Sequence, residues 1–293
     1  MKKIILNSIA IILAAITVFS CDFVQNANPV LEPVATTTGN SSIIYRKVLV
    51  EDYTGHKCGY CPPAADTLKY LETKYHGKIV PLAVHAGFYA NINATYPTDF
   101  RTTVGTDYDT QFGNSASGNP NGLINRVGYG TGSFIKAYTS WEGYVVPMIT
   151  ETAKFQIKIS NTFNTTTNSL NTDITVKSLA VNSGTYKLVV LLTQDSIIAE
   201  QLDYSLPVGS QTITNYEFNH LLRGAINSAW GDAVFTSGAG INDSIVKSYA
   251  NFTVNPAYNA SKCHVIAYIY DADLSGSNPT AYEVLQAEEA KVK

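Results

Sequence analysis

Charge is sparse in this chain: Asp, Glu, Lys and Arg together make up only 15% of its 293 residues. Solvent faces of helices are usually built from those four residue types, so this shortage argues against a mainly helical surface. Beyond the extreme N-terminus there is no cluster of Lys or Arg, and the formal net charge is −3. Nothing here builds the basic stripe that a phosphate backbone requires, and nucleic acid is excluded as an expected partner. Cysteine is scarce as well, at four. That is too few for a fold held mainly by disulfides. What the chain does have is 45% hydrophobic residues, 19 tyrosines and many Thr, Ser and Asn, a mixture suited to strands and turns. Its length allows two domains, each with a core of its own.

The first twenty residues read as a leader rather than part of the fold. Met1-Lys2-Lys3 is a short basic start, and an uncharged apolar run follows from Ile4 to Ser20, just before Cys21. The competing reading is a membrane-spanning helix, since the run approaches the ~20 residues a bilayer needs. Its position at the start, and the small Ser20 ahead of a cysteine, favour a signal peptide over residues 1–20. Ser20-Cys21 resembles a lipoprotein cleavage site, although Phe19 is bulkier than usual there. By that resemblance Cys21 becomes the lipidated N-terminus and anchors the chain to a membrane. Residues 21–42 then read as a tether, rich in Asn, Pro, Thr and Gly and without periodicity.

The sequence around 46–53 is a compact apolar run suited to a buried parallel strand. A helix follows, with Ala64, Leu68, Leu71 and Tyr75 on one face and Gly77 as its stop. Pro62 and Pro63 fit only its first turn, so it starts close to Cys58. Residues 78–85 read as a second strand, in which Pro81 points to a sheet edge or bulge because it cannot donate to a ladder. A long polar insert spans 87–118, with a short helix expected near 98–112. A strand at 122–126 and a helix over 135–152, interrupted at Pro147, complete the segment. This β-α-β-insert-β-α order predicts an α/β thioredoxin-like domain over residues 43–152. After about residue 153, alternating segments at 155–160, 173–177, 186–193, 248–254 and 263–270 predict an all-β, immunoglobulin-like sandwich over 153–293.

The chemistry centres on Cys58-Gly59-Tyr60-Cys61. Two cysteines three positions apart at a helix start bring their sulfurs within bonding reach. The positive helix end favours thiolate there. Cys58 is expected to face solvent and attack, and Cys61 to resolve the mixed disulfide. A structural disulfide is the plainer alternative. Metal binding is a third, with His56 and His85 as the nearest conceivable ligands, but zinc usually takes four ligands and no second close pair exists. No metal and no cofactor is therefore expected. Cys263 reads as a small buried apolar residue.

The segment from Val48 through Asp52 to Cys58-Gly59-Tyr60-Cys61-Pro62 resembles the strand-to-active-site stretch of thioredoxin-fold proteins. That resemblance implies a proton relay at Asp52, six positions before Cys58. It also implies a cis-proline facing the dithiol, for which Pro120 is the candidate. Asn119 and Pro120, with Gly59 and Tyr60, would then dock substrate backbone. Lys57 stands where thioredoxins carry tryptophan, so no redox potential transfers. More narrowly, residues 51–62, Asn125-Arg126, residues 219–223 and residues 283–289 resemble the outer membrane protein 28-related family of Gram-negative lipoproteins. The resemblance implies an outer-membrane-associated lipoprotein. Two functions of different class follow as expectations: the leading one is thiol–disulfide exchange on exported proteins bearing thiols or disulfides, and its alternative is non-catalytic surface binding with a structural disulfide. The dithiol at a helix start after an acid-tipped strand motivates the first, and the polar insert and the β-rich second half motivate the alternative.

Overall fold

The computed structural model describes residues 43–293, and the leader, Cys21 and the whole tether lie outside the described residues. The first part of the chain contributes β1 (Val48–Thr54), α1 (Pro62–Lys74), β2 (Ile79–His85), α2 (Thr103–Phe112), β3 (Asn121–Ile124) and α3 (Trp141–Met148). The remainder is β4 (Phe155–Asn164), β5 (Ser169–Ser178), β6 (Tyr186–Gln194), β7 (Ile197–Leu202), β8 (Thr212–Phe218), β9 (Leu221–Ala225), β10 (Asp232–Phe235), β11 (Ser244–Thr253), β12 (Cys263–Asp271) and β13 (Val284–Lys291).

These strands do not divide at residue 153. One mixed sheet runs β13-β12-β6-β9-β2-β1-β3, with β10 also on β6, so strands from both halves alternate within it. β1 is parallel to β2 and β2 to β9, while β3 runs antiparallel to β1. Residues Ser41–Lys293 form one compact unit. The expected fold class, an α/β thioredoxin-like domain followed by an all-β immunoglobulin-like sandwich, is therefore corrected. The protein is mostly β, with three α-helices among the described residues.

The physical reason lies at the edge of β2. The α/β segment leaves that edge open, and β9 takes it through the pair Ala83–Leu221, drawing β6, β12 and β13 into the same sheet. The sheet then curls until its ends meet: the Val284 amide donates to the carbonyl of Asn125, just past β3, at 2.9 Å. Arg46 and Lys47, ahead of β1, pair with Glu283 and Glu288 around β13. Pro81 sits comfortably because only Ala83 of β2 meets β9. The missing N–H of Pro81 would point to that same side, two residues short of the contact.

β1 is buried on both faces, as its continuous apolar run requires. Val48 and Val50 pack under α1 and α3 with Leu68, Leu71 and Trp141. Leu49 and Tyr53 face the inside of the curled sheet, with α2, Tyr268 and Tyr270. The three-stranded sheet β11-β5-β4 covers the other faces of β6 and β12.

Between the apolar residues of β1 lies Glu51, fully buried and held by Arg126, which is also fully buried. The Arg126 Nε and Nη2 donate to the two carboxylate oxygens at 2.8 and 2.9 Å, and Nη2 also donates to the Tyr268 hydroxyl. Tyr108, Phe112 and Tyr268 present their rings to the guanidinium, with centroids 4.7–5.0 Å away. Asn125 and Arg126 both take left-handed backbone, φ 47° and 55°, which costs of order 1–3 kcal/mol per residue. That double reversal turns the chain after β3 so that Arg126 reaches Glu51. Breaking the pair from one side leaves a charge with no water to solvate it. Arg126→Met is expected to lower unfolding free energy by about 3–5 kcal/mol in urea titrations, and Glu51→Leu/Arg126→Met to recover much of it. A single variant no worse than the double would refute this.

Candidate functional site

Cys58 and Cys61 form a disulfide with Cα atoms 5.3 Å apart. α1 begins at Pro62 with Cys61 as its N-cap, one turn later than Cys58, because the two prolines occupy the first positions. Neither sulfur faces solvent in the way expected for an attacking thiol: Cys58 is 2% exposed and Cys61 1%. The cover comes from β7, β8 and the loop between them, which form a separate two-stranded sheet. The Leu202 amide donates to the His56 carbonyl and the Tyr204 amide to the Gly59 carbonyl, both at 2.8 Å. The Gln201 side-chain amide donates to the Cys58 carbonyl at 3.1 Å. Tyr204 lies against Gly59 so closely that a Cβ there would stand 2.5 Å from its ring. Tyr60, 67% exposed, meets the Tyr204 ring edge-on.

The two basic residues just before the disulfide each lie against an aromatic ring. His56 is buried, stacked on Tyr96 and bonded to the Asn91 carbonyl, and burial draws its pKa below the usual value. Lys57 lies with its ammonium 4.9 Å from the centre of the Phe88 ring. Beneath the hairpin is a cavity of about 520 Å³. Its floor is one face of the β1–β2 pair, where Asp52 sits beside Ala83 and Thr54 beside His85. One wall is the face of α1 carrying Pro62, Asp66, Lys69 and Glu72, with Cys61 at its start. The roof holds Gln201, Tyr216 and Phe218.

Asp52 and Cys61 thus line the same cavity. Burial pushes the Asp52 carboxyl up to about 7, and its Oδ1 has no hydrogen-bond partner. Burial pulls His85 down to about 3, helped by the nearby His56 and Arg223, and its Nδ1 is likewise unpartnered. The Asn119–Pro120 peptide is cis. Asn119 and Pro120 are half-buried and outside the lining of this cavity, and neither end of the Asn119 amide finds a partner. The loop before them is fixed by Asn121, which donates to the carbonyls of Asn114 and Gly118. At the far end of the cavity His220 bridges Glu72 at 3.3 Å and Asp195 at 3.5 Å. Burial lowers its pKa, but the two carboxylates outweigh that and hold it above the ordinary value. Among the described residues no cluster of His, Cys, Asp and Glu has the arrangement of a metal site.

Sequence reasoning did not anticipate the hairpin, Asp66, Tyr216 or His220 as neighbours of the cysteines. A signal existed: apolar residues at 197–202 and 212–218 flank Pro207-Val208-Gly209-Ser210, a turn-rich break that marks a hairpin. Cys263 is free and buried.

The sequence profile of the outer membrane protein Omp28 family matches residues 106–293, and the chain belongs to that family. The match begins within α2. It includes Asn125-Arg126 and residues 219–223 and 283–289, while the segment 51–62 lies outside it. The protein is therefore associated with the outer membrane of the cell envelope. No helix among the described residues is long and apolar enough to cross a membrane. No curated protein matches the sequence. Among solved structures, HBP35 of Porphyromonas gingivalis is similar at a TM-score of 0.58 and 15% identity, covering 85% of this chain and 76% of that one. A crystal structure of an Agrobacterium tumefaciens protein is similar at 0.51 and 15% identity, covering 85% and 96%. At such identity the likeness concerns the fold alone.

The raised Asp52 carboxyl has a stability consequence. In the unfolded chain it titrates near 3.8, so between there and about 7 the unfolded state releases a proton that the folded state keeps. Folding loses stability across that window and no more above it. Asp52→Asn is expected to stabilise the protein at about pH 8 by up to the order of 4 kcal/mol, and to make no difference near pH 3. Thermal melts of both proteins across that range measure it, and a constant offset would refute the assignment.

Proposed function

We propose that this chain acts at the outer membrane as a non-catalytic binding protein in which the Cys58–Cys61 disulfide is a fixed structural link. One observation carries the reading: both sulfurs are buried beneath the β7–β8 hairpin, which bonds directly to the backbone of the Cys58 loop. Thiol–disulfide exchange needs an incoming thiolate to reach a sulfur, and access governs its rate. Here the hairpin occupies the approach. In this reading lipidation of Cys21, behind a cleaved leader, holds the protein to the membrane, and residues 21–42 give it reach.

A second reading keeps thiol–disulfide exchange on exported proteins. It is favoured by Asp52 sharing a cavity with Cys61 at the start of α1. Cys58 would attack, Cys61 resolve and Asp52 move the proton, with Gly59, Tyr60, Asn119 and Pro120 against the substrate backbone. It requires the hairpin to lift.

An insulin-reduction assay with dithiothreitol as reductant, run on the parent and on Cys58→Ala/Cys61→Ala, decides between them. The parent is expected to give no turnover above the double variant. The double variant is expected to lose about 2 kcal/mol of stability in denaturant titration, the worth of closing so short a loop. Turnover that depends on the two cysteines would overturn the binding reading in favour of the redox one.

A further inference from the structure

The cavity under the hairpin contains polar groups with nothing to bond, and they share one character. Asp52 is 1% exposed and His85 2%, both line the cavity, and each has a buried side-chain atom without a partner. His85 is neutral at physiological pH, so an unprotonated ring nitrogen offers a lone pair. Asp52 offers carboxylate oxygens. Asp66, on the α1 wall at the rim, adds a second carboxylate. Two donors of the lining are engaged: Gln201 bonds the carbonyls of Cys58 and Leu202, and His220 bridges Glu72 and Asp195; the hydroxyls of Thr54 and Tyr216 also line the space. Lys69, at the rim, is the exception among the cationic side chains of the lining. Glu217 accepts from Ser196. The fully buried groups without a partner, Asp52 and His85, thus offer acceptors beside the aromatic rings of Tyr216 and Phe218, whose faces attract cations.

Such a cavity selects for a ligand that brings N–H donors, positive charge and a short apolar stem. The geometry points to a binding site for an organic cation, a guanidinium or primary ammonium, seated between Asp52, His85 and Asp66 against Tyr216 and Phe218. This deepens the binding reading and rests on it. A guanidinium fits the donor count best, because its planar fork can meet a carboxylate and a ring nitrogen together. The volume of about 520 Å³ admits a group of that size with several methylenes. The group is either carried by a free amine or presented on an arginine side chain of a peptide.

Isothermal titration of the full chain with agmatine, and separately with the peptide Gly-Arg-Gly, tests this. Saturable one-to-one binding of at least one probe is expected. Tighter binding of agmatine assigns a free amine, and tighter binding of Gly-Arg-Gly a peptide side chain. Asp66→Asn, at an exposed position that leaves the fold undisturbed, and Asp52→Asn are each expected to weaken binding by about tenfold or more at about pH 8, the scale of one charge-assisted hydrogen bond. Asp107→Asn, on the outside of α2, is expected to change nothing. Affinity is expected to fall as the pH drops through about 7, where Asp52 takes up its proton. The other titratable groups facing it are Asp66, Lys69 and Glu72 from α1, His85 from β2, Glu217 and Tyr216 from β8, and Asp195 and His220 beyond. Heats absent with both probes, or equal for the uncharged analogue butylurea, would overturn the inference. So would binding indifferent to both carboxylate variants. Absent binding together with absent insulin turnover sinks the cation site alone. Cysteine-dependent turnover sinks the reading beneath it.

Discussion

The ion pair between Glu51 and Arg126 sets the terms for the rest of the molecule. Two full charges sit inside a curled sheet among tyrosine and phenylalanine rings, where neither could remain without the other. Their bond joins the middle of β1 to the turn after β3 and, through Tyr268, to β12. Tyr108 extends the chain of contacts to α2 by bonding the Tyr268 hydroxyl at 2.7 Å. A purely apolar interior could let these elements slide against one another. A bidentate pair with one satisfactory geometry does not. The positions of Cys58 and Asp52, both carried on β1 or its extension, inherit that rigidity.

The disulfide and the cavity are two results of the same covering hairpin. Where the β7–β8 loop crosses the cysteine turn, backbone bonds and the Tyr204 ring remove the sulfurs from water. Where the strands themselves pass over α1, they leave a space instead, lined with carboxylates below and aromatic rings above. Desolvation then acts in opposite directions on the two titratable groups of the floor, raising the acid and lowering the base. Both end up favouring the neutral form, and a bound cation would restore a charge to Asp52.

Much of the first half was legible from local pattern. The strand before Cys58, the helix face Ala64-Leu68-Leu71 and the stop near Gly77 were written in periodicity and in residues with narrow backbone preferences. Strands β4, β5, β6, β11 and β12 were visible for the same reason. What could not be read was pairing between distant segments. β9 is five residues long with a glycine inside it, an uninformative stretch that nonetheless joins the two halves of the sheet. The partner of Glu51 was equally hidden, since nothing local says that Arg126 turns inward through two left-handed residues. At the site, the cysteines and Asp52 stood out by spacing. Their burial did not, because the covering hairpin lies more than 130 positions further along the chain.

The meeting of the two ends of the main sheet has a consequence for how the molecule is made. Arg46 and Lys47 have their ionic partners at Glu283 and Glu288, so the first strand waits for almost the last. A chain emerging N-terminus first from a ribosome or a translocation channel has no native closure available to it until those residues arrive. Closure of the main sheet is therefore coupled to the last strand of the chain to be made.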